Sequence, residues 1–226
     1  MFHRFGYLAL VFATVPSIAI AAQAMVGSAS INLPSPTGFC EMSASTAPDS
    51  KMVGPLSELV AKSGNKMLAM SADCRQLVDW RAKKQKFLDD FANYQTPVSG
   101  IESAAAPEPV KQTCSVLREQ DTKILANQVP DLKTRVEQTF QQTKLNEASF
   151  LGVLDETVRA CYAGLLQKLR LDGNTDRTQV TLFAATTVKN KSIFVYRIAI
   201  YGNSDTIPSV LARLKATVAA LYAANK

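Results

Sequence analysis

The stretch that decides the fold is Gln179–Tyr201, QVTLFAATTVKNKSIFVYRIAIY, in which two apolar runs flank a short polar connection. Runs rich in β-branched and aromatic residues predict strands, and Lys189-Asn190-Lys191 is typical of a tight turn between them. A third run, Tyr162–Arg170, precedes them and is separated from them by the turn-forming residues Asp172–Asp176. The three runs therefore predict an antiparallel three-strand meander.

The last of these strands is apolar on both of its faces, with Arg197 as its one charged residue. A strand of this kind is expected at the centre of a sheet that is covered on both sides. A helix over Thr206–Asn225 follows at once, with Pro208 in its first turn. Its apolar residues recur at helical spacing and predict a face that packs on the sheet: Ile207, Val210, Leu211, Leu214, Val218, Leu221 and Tyr222.

Upstream, strand and helix patterns alternate irregularly. A helix is predicted from Pro48 and ends at Ser63-Gly64-Asn65, and a strand follows over Lys66–Asp73. Residues 74–84 fit either a helix or a continuing strand. The remaining expectations are a short strand over Asp90–Thr96, a linker-like stretch over Ser99–Pro109, a helix through Val110, Cys114, Leu117 and Ile124, and a helix opening at Pro130-Asp131. The predicted fold class is α+β, a single antiparallel sheet covered by helices.

Residues 1–24 have the features of a secretory signal peptide. Arg4 supplies the positive start, an apolar stretch runs from Tyr7 to Ala22, and Ala22-Gln23-Ala24 places small residues where a signal peptidase requires them. An uncleaved membrane anchor is the alternative, but the apolar stretch is shorter than the ~20 residues that span a bilayer and contains Pro16. We expect cleavage near Ala24, a single domain over residues 25–226, and no transmembrane segment after signal removal.

Four cysteines remain in the predicted mature chain: Cys40, Cys74, Cys114 and Cys161. An exported protein meets an oxidising compartment, so two structural disulfides are expected. Three pairings are open, and we favour Cys40 with Cys74 and Cys114 with Cys161. A redox motif would need a C-x-x-C pair and a zinc site would need closely spaced ligands, and the chain has neither. No metal and no cofactor is expected.

Catalytic residues are scarce. His3, the one histidine, falls in the predicted signal peptide, so the mature chain would lack an imidazole for general-base or metal chemistry. The adjacent acidic pairs Asp89-Asp90 and Asp155-Glu156 fit exposed or turn residues better than a glycosidase pair, because neighbours on a strand point to opposite faces. The basic run Arg81–Lys86 lacks aromatic residues between its charges and indicates a solvated surface, not a nucleic-acid site.

A signature near the N-terminus of the predicted mature chain, Ile31-x-Leu33-Pro34-x-Pro36-x-Gly38-Phe39-Cys40, resembles that of small exported bacterial proteins of unknown function. Three later stretches resemble the same group: Ala72-Asp73-Cys74, Trp80-Arg81 and Cys161-Tyr162-Ala163-Gly164. The order of the predicted elements is also similar to that of PsbP-like and DcrB-like domains, which are mainly accessory or envelope-associated binding proteins. This resemblance implies a binding role and brings no catalytic residues with it.

The sequence thus predicts a periplasmic or secreted, non-catalytic envelope protein with a binding or accessory role. Its partner would be an envelope protein or a small ligand of unknown identity. Two alternatives stay open. One is a hydrolase that uses carboxylates or a Ser/Lys arrangement, for which two acids within about 10 Å in a concave pocket are the requirement. The other is a peripheral membrane-surface binder that uses its basic residues.

Overall fold

The computed structural model describes residues 22–103, 108–119, 123–140, 143–172 and 174–226, and for residues 123–129 it describes the backbone alone. The strands in these residues are β1 Ala22–Val26, β2 Ala29–Leu33, β3 Phe39–Met42, β4 Asn65–Asp73, β5 Asp90–Pro97, β6 Thr143–Glu156, β7 Ala160–Leu171, β8 Thr175–Val188 and β9 Lys191–Ile200. The helices are α1 Ala47–Lys62, α2 Cys74–Arg81, α3 Val110–Glu119, α4 Lys123–Thr139 and α5 Thr206–Ala223.

Seven strands form one sheet in the order β3-β4-β5-β9-β8-β7-β6, and every neighbouring pair is antiparallel. The predicted meander is confirmed as β7–β8–β9. Lys189 and Asn190 both have positive φ, 47° and 59°, as a two-residue turn matched to strand twist requires. Beside this sheet, β1 and β2 form a separate two-stranded hairpin. The α+β class is therefore confirmed, with a hairpin added to the single sheet that the sequence predicts.

Strand β9 lies at the centre of the sheet, as its two apolar faces predict. One face carries Ile193, Val195 and Ala199, which pack in the main core cluster with α5 and with the β1–β2 hairpin. The apolar stripe of α5 is confirmed, because Val210, Leu214, Val218 and Leu221 are all buried in that cluster. The helix continues to Ala223, close to the predicted end.

The opposite face of the sheet is covered by helices from the N-terminal half. Met70 and Ala72 of β4 pack with Leu77 of α2 and Val53 of α1 in a second core cluster. Helix α1 begins at Ala47 and stops at a glycine with φ of 77°, Gly64, as the sequence predicts. Helix α3 lies farther along the same face, where Cys114 packs against Cys161 and Ala185.

Both disulfides are present in the favoured pairing. Cys40 of β3 is joined to Cys74 at the start of α2, with Cα atoms 4.9 Å apart. Cys114 of α3 is joined to Cys161 of β7, with Cα atoms 5.5 Å apart. The first disulfide ties an edge strand to a helix, and the second fastens α3 to β7, the strand next to the edge strand β6.

Two helix predictions needed the structure to resolve them. The ambiguous segment after Asp73 is helical, because the Asp73 carboxylate accepts hydrogen bonds from the backbone N–H groups of Arg75 and Gln76 and so caps α2. The predicted helix start at Pro130 is wrong, since α4 runs from Lys123 with Pro130 inside it. Proline is favoured in a first turn but does not exclude an interior position when tertiary packing holds the helix.

The sequence pattern did not predict β6, which is the longer of the two edge strands of the sheet. Its pairing with β7 shifts register at three places, between Leu145 and Glu147, between Phe150 and Gly152, and between Val153 and Asp155. Each shift inserts an extra residue and breaks the alternation of apolar and polar side chains on which the prediction depends. Gly152 has φ of 78°, a backbone conformation that favours glycine.

The predicted signal peptide falls largely outside the described residues, which begin at Ala22. Its predicted end does not: Ala22, Gln23 and Ala24 belong to β1 and pair with β2. Cleavage after Ala24 would therefore cut the hairpin. In the described part of the chain, no helix combines the length and the hydropathy needed to cross a membrane.

Candidate functional site

A cavity of about 390 Å³ opens beside the turn between β8 and β9. It lies between the short 3-10 turn Val98–Gly100, the first turn of α3 and the ends of the two strands. Most of its lining is neutral and small. The lining residues that the structure describes are Pro97, Ser99, Gly100, Ser103, Glu108, Val110, Thr113, Ala185, Thr186, Thr187, Asn190, Ser192 and Phe194.

The lining combines hydroxyl and amide groups with an aromatic side chain. Hydroxyl groups both donate and accept hydrogen bonds, so they can bind donor or acceptor groups of a ligand and do not require the ligand to be charged. Ala185 and Phe194 supply an apolar part of the wall. Among the described lining residues Glu108 is the one carboxylate, so the two acids that a glycosidase site requires do not meet here. The volume is at the lower end of the range for small-molecule pockets, about 300–1,000 Å³.

The walls of the cavity are fastened by covalent and polar contacts. The buried Cys114–Cys161 disulfide holds α3 against Ala185 and Phe194. The Lys191 Nζ atom donates hydrogen bonds to the carbonyl oxygens of Ile101, at 2.8 Å, and Ser103, at 3.1 Å. The Thr96 hydroxyl donates to the Ser192 carbonyl oxygen at 2.9 Å. These contacts give the cavity walls fixed positions, which lowers the entropic cost of binding a ligand.

The sequence did not predict this site. Residues 99–109 fit a linker by composition, and residues 104–107 lie outside the described part of the chain. In the structure the 3-10 turn and the start of α3 sit at the two sides of the cavity instead. A signal was present in the concentration of serine and threonine around both Pro97 and the β8–β9 turn, but only the fold brings the two segments together.

Arg197, the charged residue in the interior of β9, has a structural explanation on the face of the sheet opposite the cavity. The Arg197 guanidinium is buried and donates to both carboxylate oxygens of Asp90, at 3.1 and 3.2 Å. It also lies 3.8 Å from the ring centre of Phe39. Burial lowers the pKa of Arg197, and the charge of Asp90 opposes that shift. Arg213 of α5 donates to Asp90 at 2.8 Å and completes the cluster.

In each of the two acidic pairs that the sequence contains, the neighbouring carboxylates contact different cationic side chains, as strand geometry predicts. Asp89 contacts Arg177, whereas Asp90 contacts Arg197 and Arg213. In the second pair, Asp155 contacts Lys215 and Glu156 contacts Arg118 at 2.8 Å. The hydrogen bond from Lys215 holds the pKa of Asp155 below its usual value. Each carboxylate therefore has a cationic partner, an arrangement typical of ion pairs rather than of a general acid and base.

The basic run Arg81–Lys86 is partly neutralised. Arg81 donates two hydrogen bonds to the buried carboxylate of Asp49, at 2.8 and 2.6 Å. Lys86 forms an ion pair with Asp172. Lys83 and Lys84 are exposed. In the described residues no group of three or more histidine, cysteine, aspartate or glutamate side chains is placed to hold a metal ion.

Comparisons with known proteins provide little information about the function of this site. No family model matches the chain, and no curated protein matches it. Among solved structures, the crystal structure of the Ran-binding protein Mog1p of Saccharomyces cerevisiae is similar over 91% of this chain and 93% of that chain, with 8% identity and a TM-score of 0.33. That score is too low to support an argument, so the function is argued from this chain alone.

Proposed function

We propose that this protein is an exported, non-catalytic binding protein of the bacterial envelope that holds a small, neutral polar ligand in its hydroxyl-lined cavity. Two disulfides suit an oxidising compartment, in agreement with export. The ligand would carry several hydroxyl or amide groups, as a sugar or a capped amino acid does.

The observation that carries the proposal is the lining of the cavity. One space beside Phe194 is lined by four hydroxyl-bearing residues from four different elements: Ser99, Thr113, Thr187 and Ser192. A neutral ligand can exchange its water contacts for these groups, and its apolar face can lie on the aromatic ring. A strongly charged ligand would find one carboxylate, Glu108, and otherwise neutral groups in the described lining.

The hydrolase alternative has no observation of this kind in its favour. Its carboxylate form needs a second acid near Glu108, and the described lining offers none. Its Ser/Lys form needs a lysine directed at a serine hydroxyl, whereas Lys191 donates to the backbone carbonyl oxygens of Ile101 and Ser103. The non-catalytic proposal is therefore the better supported of the two.

Saturation-transfer NMR with a panel of neutral monosaccharides and N-acetyl amino acid amides tests the proposal. We expect at least one member of the panel to receive magnetisation from the protein. The Thr113→Leu variant should lose the signal at least tenfold, because leucine fills the cavity and removes a hydroxyl while keeping helix propensity.

Gln112→Leu is the matched control, since residue 112 is exposed in the same turn of α3 and does not line the cavity. It should bind the same ligand as well as the unchanged protein. A panel with no binding member, or equal binding by Thr113→Leu, would contradict the proposal.

A further inference from the structure

We propose that the ligand of the cavity is a neutral oligosaccharide of at least two units, the second of which binds at Tyr196 and Asn93. The inference rests on the proposed function and extends its site along the sheet. Phe194 belongs to the cavity lining, and Tyr196 follows it two residues later on the same face of β9. Two residues of a strand span about 7 Å, so Tyr196 lies directly beyond the cavity.

Four side chains lead from the cavity along this face, and we call them the interior strip: Gln95, Phe194, Asn93 and Tyr196. Gln95 lies opposite Phe194 in the pairing of β5 with β9, and Asn93 lies opposite Tyr196. On the other side of β9, Phe183 of β8 lies opposite Tyr196, and the two rings stack with their centres 5.6 Å apart. The interior strip therefore has amide groups along one side and aromatic rings along the other.

The amide side of the interior strip has an unused donor. The Asn65 Nδ2 atom donates to the Gln95 Oε1 atom at 3.2 Å, and the Gln95 Nε2 atom donates to the Asn93 Oδ1 atom at 2.8 Å. The series of hydrogen bonds ends there, because the Asn93 Nδ2 atom donates to no described residue. Asn93 is 2% exposed. A buried amide without a partner is costly, so this nitrogen is suited to bind a ligand oxygen.

The aromatic side of the interior strip is only partly covered. Helices α1 and α2 pack on β4, α3 packs on β6, β7 and β8, and α4 packs on α1 and β6. Tyr196 and Phe183 are half-buried, and the three apolar clusters formed by described residues include neither of them. The Tyr196 hydroxyl makes no hydrogen bond with a described residue. It therefore adds a second polar group that can donate to a ligand or accept from it.

This combination of groups fits a sugar chain. A sugar ring has hydroxyl groups around its rim and C–H groups on its faces, so the rim can bind amides while the C–H groups pack on aromatic side chains. The four residues of the interior strip are uncharged, so an ionic unit would find no opposite charge among them. One unit would occupy the cavity and the next would lie on Tyr196 and Asn93. A single monosaccharide would not reach the interior strip beyond Phe194.

Isothermal titration calorimetry with sugars of increasing length tests the inference. The probes are glucose, maltose and maltotriose, and N-acetylglucosamine with its dimer and trimer. In at least one series we expect the two-unit sugar to bind at least tenfold more tightly than its single unit, because the second unit reaches the interior strip. Tyr196→Phe should reduce that gain about fivefold and leave single-unit binding unchanged, because it removes the hydroxyl and keeps the ring.

Tyr94→Phe is the matched control. Tyr94 follows Asn93 on β5, so its side chain lies on the opposite face of the sheet, where its hydroxyl donates to the Pro34 carbonyl oxygen at 2.6 Å. This variant should keep full oligosaccharide binding and have a lower urea denaturation midpoint. Tyr196→Phe should keep the midpoint, because its hydroxyl has no partner in the described part of the chain. An equal fall in the midpoint would give that hydroxyl a structural role and overturn the inference.

The results also separate this inference from the proposed function. A two-unit sugar that binds when its single unit does not counts as the expected gain. Two-unit sugars that bind no more tightly than single units, or a gain that Tyr196→Phe retains, would overturn the inference and leave the binding cavity standing. Failure of every sugar would also overturn it, whereas the proposed function fails only when the N-acetyl amino acid amides do not bind either.

Discussion

Asp49 is the clearest case of a single residue whose surroundings set its charge. The residue is fully buried in the first turn of α1, and its carboxylate accepts two hydrogen bonds from Arg81 and one from the Ser43 backbone N–H at 3.0 Å. Hydrogen bonding to Arg81 lowers the pKa of Asp49, although burial acts in the opposite direction. The helix N-terminus also favours a negative charge there.

Replacing this carboxylate tests its contribution. Asp49→Asn should lower the free energy of unfolding by about 2 kcal/mol at pH 7, because Arg81 loses its charged partner. The native pKa of Asp49 is depressed, so its stabilisation is present above the unfolded pKa of about 3.9 and is lost as the pH falls through the native pKa. Urea denaturation at a series of pH values should show the two proteins converging in acid.

Asp176→Asn is the matched control, because Asp176 also pairs with an arginine, Arg170, but on the exposed surface. Exposed pairs contribute little, so this variant should keep the denaturation midpoint of the unchanged protein at pH 7. A constant difference between Asp49→Asn and the unchanged protein down to strongly acidic pH would contradict the role given to the buried ion pair.

At the scale of elements, the two disulfides differ in their access to solvent. Cys40 lies on the edge strand β3 and is exposed, and its partner Cys74 is half-buried. Cys114 and Cys161 are both at 0% exposure beneath α3. Each disulfide closes a loop of a few tens of residues and contributes about 4 kcal/mol in the chain-entropy model.

The difference predicts a selective reduction. Under native conditions a limiting amount of tris(2-carboxyethyl)phosphine should reduce Cys40–Cys74 at least tenfold faster than Cys114–Cys161, because the reductant must reach a sulfur atom. Alkylation of the free thiols followed by peptide mass mapping measures both rates. The same reaction in guanidinium chloride is the control, since unfolding exposes both pairs and should bring the two rates together. Faster reduction of Cys114–Cys161 in the native protein would show that α3 opens readily.

The elements also differ in how far sequence could predict them. Strands β7, β8 and β9 follow from uninterrupted apolar runs and clear turns, and α5 follows from a regular apolar stripe. Strand β6 could not be predicted in the same way, because its three register shifts hide the alternation of its side chains. The interior position of Pro130 in α4 likewise depends on contacts of that helix with α1 and β6.

At the scale of the whole molecule, charge is balanced locally. The chain has a formal net charge of +6. In its densest basic run, however, Arg81 forms an ion pair with Asp49 and Lys86 forms one with Asp172. Lys83 and Lys84 remain exposed in that run. Binding to an anionic membrane generally needs a cluster of several unpaired basic residues, each contributing about 1 kcal/mol.

We therefore expect little co-sedimentation with phosphatidylglycerol vesicles at physiological salt. The double variant Lys83→Glu, Lys84→Glu should sediment as the unchanged protein does, because the run makes no effective contact with the vesicles. Vesicles of phosphatidylcholine alone serve as the uncharged control. Strong sedimentation that falls with added salt and is abolished in the double variant would favour the alternative of a peripheral membrane-surface binder.

The sequence by itself determined the antiparallel meander, the covering helix and the cysteines available for two disulfides. The meander and the helix depend on residues close together in the chain, through apolar periodicity and turn chemistry, and the cysteines are counted directly from the sequence. Only the tertiary structure decided which side chains meet across long separations. It placed Arg197 against Asp90, brought α3 to the end of the β8–β9 hairpin around the cavity, and assigned Ala22–Ala24 to a strand. Each of these contacts joins two segments that are far apart in the chain. The local sequence pattern of one segment does not indicate the other, so the contacts are seen only in the folded structure.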